Sequence, residues 1–128
     1  MGNAKTVGKA AGFASPAQGY ENTTIDLNEL LIKNPPATYL FRLESDDMSG
    51  LGLPKGSILI ADRSKKPVYN QFALIKHEGQ FLCRLMVKQN RRAVFTNGIT
   101  EITPVAGETE IVGAVTSSVQ IYSHDLPH

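Results

Sequence analysis

The sequence has little cysteine and no excess of either charge. Cys83 is the one cysteine among 128 residues, which excludes an internal disulfide framework and leaves stability to a packed core. The 13 Lys and Arg residues are balanced by 12 Asp and Glu residues, giving a formal net charge of +1. A DNA-reading domain of this size usually carries a basic excess, so the balance argues against direct, sequence-specific DNA binding.

Long hydrophobic runs are also missing. No stretch approaches the roughly 18 apolar residues of a membrane-spanning helix, and residues 1–12 lack the apolar segment of a signal peptide. The sequence therefore predicts a cytoplasmic protein with no membrane association. It shows no cluster of His, Cys and carboxylate residues at metal-ligand spacing, so we expect neither a metal nor any other cofactor.

Two regions of different composition follow each other along the chain. Residues 1–24 are rich in Gly, Ala, Ser, Asn and Thr and hold few large apolar side chains. Such a segment cannot bury enough surface to offset the entropy of ordering, so we predict a flexible N-terminal arm. Residues 25–128 alternate short apolar segments with glycine-marked turns and are predicted to form one β domain.

The predicted domain starts with one short helix and continues in strands. Residues 25–32 place leucines at helical spacing, Asp26 or Thr24 is available as the cap, and two prolines at 35 and 36 end the helix. The predicted strands cover residues 39–43, 57–61, 72–76, 80–85, 93–96 and 110–115, with 118–122 as a closing strand. This pattern is typical of a mainly β fold of twisted antiparallel sheets.

Several segments of the chain closely resemble one protein family. They are Gly12-Phe13-Ala14-Ser15-Pro16-Ala17, Ile25-Asp26-Leu27-Asn28-Glu29-Leu30-Leu31-Ile32, Pro36-Ala37-Thr38-Tyr39, Ile58-Leu59-Ile60-Ala61-Asp62, Gly79-Gln80-Phe81 and Ile111-Val112-Gly113-Ala114-Val115. These segments are similar to the LexA/UmuD family of self-cleaving serine/lysine peptidases, over roughly residues 10–122. The helical segment 25–32 is far more specific than any single strand.

The resemblance implies the peptidase fold of that family, a homodimer and an arm that carries its own scissile bond. In the family that bond joins Ala or Cys to Gly, and Ala11-Gly12 stands in its place here. Too few residues precede Ala11 for a helix-turn-helix DNA reader. The sequence therefore resembles the UmuD branch, the accessory subunits of an error-prone polymerase, more than the LexA repressors.

Both catalytic positions of the family are substituted in this sequence. The family nucleophile is the serine of a Gly/Ser-Asp-Ser-Met motif, and Ser45-Asp46-Asp47-Met48 has Asp47 in that place. The family base is a lysine, and Gln80-Phe81-Leu82-Cys83-Arg84 has Arg84 in that place. An arginine keeps its proton in proteins and cannot accept one from an attacking hydroxyl, so the resemblance implies that catalysis has been lost.

The family chemistry requires these two side chains to touch. We therefore predict that Asp47 and Arg84 form an ion pair in place of a serine–lysine dyad. In one alternative the site has decayed and both side chains point into solvent. In another, a local shift presents the hydroxyl of Ser49, with Lys76 or Lys88 as the base; we interpret Ser49 instead as a turn residue.

Other reactive or charged side chains have structural interpretations. Cys83 precedes Arg84 on a predicted strand and is expected to face the other way, into packing. His77 lies in a predicted hairpin turn and suggests no catalytic triad. The basic pairs Lys65-Lys66 and Arg91-Arg92 are predicted to lie in ordinary solvated loops.

The resemblance leaves three functions open. The first is a non-cleaving accessory protein of the SOS response, which acts in translesion synthesis by dimerising and by binding a Y-family polymerase; a heterodimer with an active relative is a variant of it. The second is an active serine/lysine self-cleaving protease stimulated by RecA–DNA filaments. The third is a phage or plasmid modulator of SOS repression. The substitutions at Asp47 and Arg84 favour the first.

Overall fold

The computed structural model describes residues 24–123 of the chain. The predicted arm lies outside these residues, apart from Thr24, and remains a prediction. The chain divides into two units between Lys33 and Asn34, and each unit is described by itself.

The described part of the first unit contains one α-helix, α1 (Leu27–Leu31). Asp26 is its N-cap, because its Oδ1 accepts hydrogen bonds from the backbone N–H groups of Asn28 at 3.0 Å and Glu29 at 3.4 Å. A carboxylate at this position satisfies backbone donors that have no partner within the helix. The predicted helix is therefore confirmed, and of the two predicted caps Asp26 is the one used.

The second unit is built on one seven-stranded sheet in which every pair of neighbours is antiparallel. Its strands are β1 (Thr38–Arg42), β2 (Ile58–Asp62), β3 (Gln71–His77), β4 (Gln80–Gln89), β5 (Arg92–Thr96), β6 (Glu101–Ile102) and β7 (Thr109–Val119). They lie in the order β1-β2-β7-β3-β4-β5-β6, and short 3₁₀ turns occur at Pro35–Ala37 and Ser49–Leu51. The predicted mainly β fold is confirmed.

Two details of the strand prediction are wrong. The separate closing strand at 118–122 does not exist, because Ser118 and Val119 are the end of β7 and residues 120–123 have no regular structure. The two-residue strand β6 was not predicted, since a segment of that length shows no periodicity.

β7 is the strand that joins the two halves of the sheet. Its first half pairs with β3 and its second half with β2, and Ala114 is opposite both Ala73 and Asp62. The register shifts once against each partner, which leaves Val112 and Thr116 without an opposite residue. Such β-bulges bend a strand and increase its twist, which allows one long strand to follow two neighbours.

The sheet carries two hydrophobic clusters. Leu74 and Ile75 are adjacent on β3 and both buried, which means that both faces of the sheet are covered at this point. The first cluster contains Leu43, Met48, Leu53, Leu59 and Cys83. The second contains Ala73, Ile75, Met86 and Phe95.

Gly113 on β7 lies against the end of β2. A Cβ at this position would be 2.5 Å from the carbonyl oxygen of Asp62 and 2.9 Å from the Cα of Arg63. Both neighbours are backbone atoms, so the strain cannot be relieved by a rotamer change. We expect Gly113→Ala to lower the free energy of unfolding by about 3 kcal/mol, as measured by urea denaturation.

The matched control for this substitution is Gly50→Ala. A Cβ at Gly50 would meet nothing within 4 Å, so we expect a change below about 1 kcal/mol. Equal effects at Gly113 and Gly50 would contradict the close approach of β7 to β2.

Candidate functional site

The turn after β1 holds Asp47 at the edge of the first cluster. Leu43 before it and Met48 after it are buried, at 5% and 0% exposure, so the short segment between them has fixed ends. The hydroxyl of Ser45 donates to Oδ1 of Asp47 at 2.7 Å. Oδ2 is the oxygen that faces Arg84.

Arg84 reaches the same place from β4, where it lies opposite Ala73 of β3. Its Nη1 donates to the carbonyl oxygen of Cys83 at 2.8 Å, and its Nη2 donates to Oδ2 of Asp47 at 3.1 Å. The predicted ion pair between Asp47 and Arg84 is therefore present. The alternative in which both side chains point into solvent is wrong, since the side chain of Arg84 is 10% exposed.

The two members of the ion pair differ in exposure. The Arg84 side chain is 10% exposed and the Asp47 side chain 35%. A buried guanidinium without a partner raises the free energy of the folded state. The ion pair stabilises the fold mainly by avoiding this desolvation penalty, and less through the net attraction between the two charges. The Nε of Arg84 is buried and has no hydrogen-bond partner among the described residues. The hydrogen bonds of Nη1 and Nη2 therefore compensate for the burial of the guanidinium charge.

Neither member of the pair is prepared to cut a peptide bond. The guanidinium stays protonated and cannot serve as a general base. Both oxygens of Asp47 accept hydrogen bonds, one from Ser45 and one from Arg84, which makes the carboxylate a poorer nucleophile. The contact with Ser45 was not predicted, and its only signal in the sequence is a serine two residues before the aspartate.

The structure does not bring Ser49 together with a lysine. Its hydroxyl donates to a backbone carbonyl oxygen of the preceding turn at 2.8 Å. The Nζ of Lys76 lies 5.7 Å from the ring centre of Phe81, and the Nζ of Lys88 lies 5.8 Å from the ring centre of Tyr69. Ser49 is a turn residue, as interpreted from the sequence.

Cys83 is directed into the first cluster and is 1% exposed. Burial raises the pKa of its thiol to about 12; the neighbouring Arg84 lowers it and Asp47 raises it, both less strongly than burial. A thiol in this state is not a nucleophile at neutral pH. The prediction that Cys83 is a packing residue is confirmed.

The other predicted positions add no catalytic group. The Nδ1 of His77 lies 2.9 Å from the Oγ1 of Thr109 and its Nε2 lies 3.8 Å from a carboxylate oxygen of Glu78. Among residues 24–123, no three His, Cys, Asp or Glu side chains are grouped to hold a metal ion, and no helix has the length and apolar character needed to cross a membrane. Ala11 and Gly12 lie outside the described residues, so their role as a cleavage site remains a prediction.

The mainly β unit, with its ion pair between the turn after β1 and β4, is similar to known proteins. The family described as Peptidase S24-like matches residues 6–115. The chain belongs to this family, which confirms its resemblance to the LexA/UmuD self-cleaving proteins.

Relatives of known name are similar over most of the chain. Protein SamA of Salmonella typhimurium is 30% identical over 109 residues, which are 85% of this chain and 78% of SamA. Protein MucA of Escherichia coli is 29% identical over 114 residues, 86% of this chain and 78% of MucA. Protein ImpA of Escherichia coli is 32% identical over 84 residues, 66% of this chain; the match spans a little over half of ImpA, 58%.

Replacing Asp47 by alanine leaves the Arg84 guanidinium without its carboxylate in a site that is 10% exposed. We expect the free energy of unfolding to fall by about 1–3 kcal/mol, with a lower Tm in thermal denaturation. Asp46→Ala is the matched control, because Ser49 contacts Asp46 through its backbone carbonyl, and its effect should stay below about 0.5 kcal/mol. An unchanged Tm in the Asp47→Ala variant would show that the ion pair does not stabilise the fold.

The raised pKa of Cys83 predicts that its thiol reacts slowly with disulfide reagents. With a pKa of about 12, about one thiol in ten thousand is ionised at pH 8. We expect a disulfide reagent to label the folded protein at least a thousandfold more slowly, by order of magnitude, than the urea-unfolded protein. Because the folded-state pKa lies above the ordinary 9.0, stability should decrease as the pH rises from 9.0 towards about 12. Rapid labelling of the folded protein at pH 8 would contradict the burial of Cys83.

Proposed function

We propose that the protein is a non-cleaving, UmuD-like accessory factor of SOS mutagenesis that acts in translesion DNA synthesis by dimerising and by binding a Y-family polymerase. The observation that carries this proposal is the 3.1 Å ion pair between Asp47 and Arg84. It occupies the positions at which the resembled family has its serine and lysine. Kinship with SamA, MucA and ImpA supports a role in SOS mutagenesis.

Self-cleavage needs a hydroxyl group that loses its proton to a neutral amine as it attacks. A buried lysine can supply that amine, because burial lowers its pKa towards neutral pH. Arg84 cannot, since a guanidinium keeps its proton in proteins. Asp47 offers a carboxylate that already accepts two hydrogen bonds. Together the substitutions remove both the attacking group and the proton acceptor.

The ion pair gives the former catalytic positions a structural role. It connects the turn after β1 to β4, two segments 37 residues apart in the sequence. A Ser–Lys dyad must keep the lysine amine neutral so that it can accept a proton. In the Asp47–Arg84 pair both side chains stay charged, so their attraction is maintained and no proton is transferred. In our proposal the protein therefore supports mutagenesis in a single state and does not wait for a cleavage event.

The edge of the sheet supports the dimerisation part of the proposal. β1 pairs with β2 on one side and with no other strand of the described residues on its other side. Leu40 at its centre is 64% exposed. An open edge with an exposed apolar side chain is a template for pairing with a further chain, and natural monomers usually protect such an edge with charges or prolines.

A groove near the same edge supports binding of a partner. It has a volume of about 650 Å³ and is lined by the end of β1, the turn before β2 and the segment after β7. Ile121 and Tyr122 in that segment are 47% and 84% exposed. Exposed aromatic and aliphatic side chains around a groove are typical anchors of protein–protein contacts.

Mass spectrometry of the purified protein tests whether self-cleavage is absent. We expect the purified full chain to keep its intact mass during incubation at alkaline pH, with no fragment beginning at Gly12. The double substitution Asp47→Ser/Arg84→Lys restores a hydroxyl and an amine at the two positions, and we expect it to produce that fragment. Asp47→Ser alone keeps the guanidinium and is the matched control, which should remain intact.

Two outcomes would contradict this proposal. A fragment from the unchanged protein would mean that it is an active self-cleaving protease. An intact, folded double variant would show that positions 47 and 84 are not equivalent to the family dyad.

A further inference from the structure

Two connecting segments of the sheet carry a concentration of positive charge that the near-neutral composition of the whole chain conceals. The connection from β2 to β3, residues 63–70, and the β4–β5 hairpin segment, residues 88–92, contain six Lys and Arg residues and no Asp or Glu. All six are exposed. They are Arg63, Lys65, Lys66, Lys88, Arg91 and Arg92, and we call them the basic row.

The sheet brings the two segments together. The backbone N–H of Asn70 donates to the carbonyl oxygen of Met86 at 2.6 Å, and the Nζ of Lys88 lies 5.8 Å from the ring centre of Tyr69. The end of β2 and the start of β5 are four strand spacings apart in the sheet order. At the usual spacing between strands, this separation across the sheet is roughly 19 Å.

Two acidic side chains near the basic row accept hydrogen bonds from polar neighbours; the hydroxyl of Ser64 and, less strongly, the charge of Lys65 lower the pKa of Asp62. Asp62 at the end of β2 is buried and accepts hydrogen bonds from the backbone N–H of Ser64 at 2.8 Å and from its hydroxyl at 2.6 Å. Glu101 accepts a hydrogen bond from the side chain of Gln89 at 3.0 Å. No cation of the row forms an ion pair within 4.0 Å in the part of the chain that the structure describes.

Two tyrosines lie among these cations. Tyr39 is 39% exposed, and the guanidinium carbon of Arg63 lies 5.4 Å from its ring centre. Tyr69 is 40% exposed and lies beside Lys88. Exposed aromatic rings interleaved with cations are the combination that binds single-stranded nucleic acid, because the rings stack on bases while the cations contact phosphates.

We propose that the basic row binds single-stranded DNA without reading its sequence. Duplex DNA keeps its base faces stacked and would leave the tyrosines without a partner, and an acidic protein segment would engage the cations alone. The proposal is compatible with the predicted absence of sequence-specific DNA binding, because phosphate contacts and stacking carry little sequence information. The choice of DNA over RNA rests on the proposed function, whereas the binding itself does not.

The test uses the full chain and a fluorescently labelled oligothymidylate, with anisotropy measured at several salt concentrations. We expect binding that weakens as salt is added, with a slope of log K against log salt of about −0.7 for each phosphate neutralised. The triple substitution Lys66→Gln/Arg91→Gln/Arg92→Gln should weaken binding at low salt by about tenfold or more and reduce that slope by up to about 2.1.

The matched control is Arg42→Gln/Lys55→Gln/Lys76→Gln, which removes three exposed cations that lie outside the basic row. It should leave the affinity unchanged within about twofold. Tyr69→Ala should weaken binding by about 5- to 100-fold at every salt concentration without changing the slope. Tyr69→Leu, which keeps an apolar side chain, should show the same loss if stacking and not folding is responsible.

Several results would overturn the proposal. These are no binding by the unchanged protein at low salt, equal losses in the two triple variants, or full affinity in both Tyr69 variants. Competition by duplex DNA as effective as that by the unlabelled single strand would remove the role of stacking. Equal competition by polyglutamate would assign the row to an acidic protein partner, and tighter binding of oligouridylate would assign it to RNA.

Discussion

The guanidinium of Arg84 is a charge that the fold has largely removed from water, and such a charge must be given partners where it lies. The carboxylate of Asp47 and the carbonyl oxygen of Cys83 supply them, at 3.1 and 2.8 Å. Because Asp47 belongs to the turn after β1 and Arg84 to β4, meeting this requirement also fixes the position of the turn. In our proposal, the same contact occupies the two positions at which the family performs its chemistry.

The positions of both charged side chains follow from the packing of their neighbours in the chain. Met48, next to Asp47, and Cys83, next to Arg84, both belong to the first hydrophobic cluster and are at most 1% exposed. Burying these two residues brings the adjacent charged residues together above the cluster. The ion pair is therefore a consequence of core formation as well as a contribution to it.

The sequence predicts the α-helix, two candidates for its capping residue, six of the strands and the ion pair, because each depends on local pattern or on the resemblance to one family. It could not predict β6, which is too short to show a period, or that β7 runs on through residues 118 and 119. That extension depends on pairing with β2, a contact distant in sequence. From the sequence alone, Lys65-Lys66 and Arg91-Arg92 are predicted to lie in separate solvated loops, because only the pairing of β3 with β4 brings Tyr69 and Asn70 beside the end of β4.

The proposed loss of self-cleavage depends most on whether Asp47 and Arg84 interact in the folded protein in solution. A double-mutant cycle measures this directly, using urea denaturation of Asp47→Ala, Arg84→Met and the double variant. We expect a coupling energy of about 1–2 kcal/mol, with the double variant more stable than the sum of the single effects predicts. A coupling energy of zero would mean that the two side chains do not form the pair, and the structural basis for the proposal that the protein does not cleave itself would be lost.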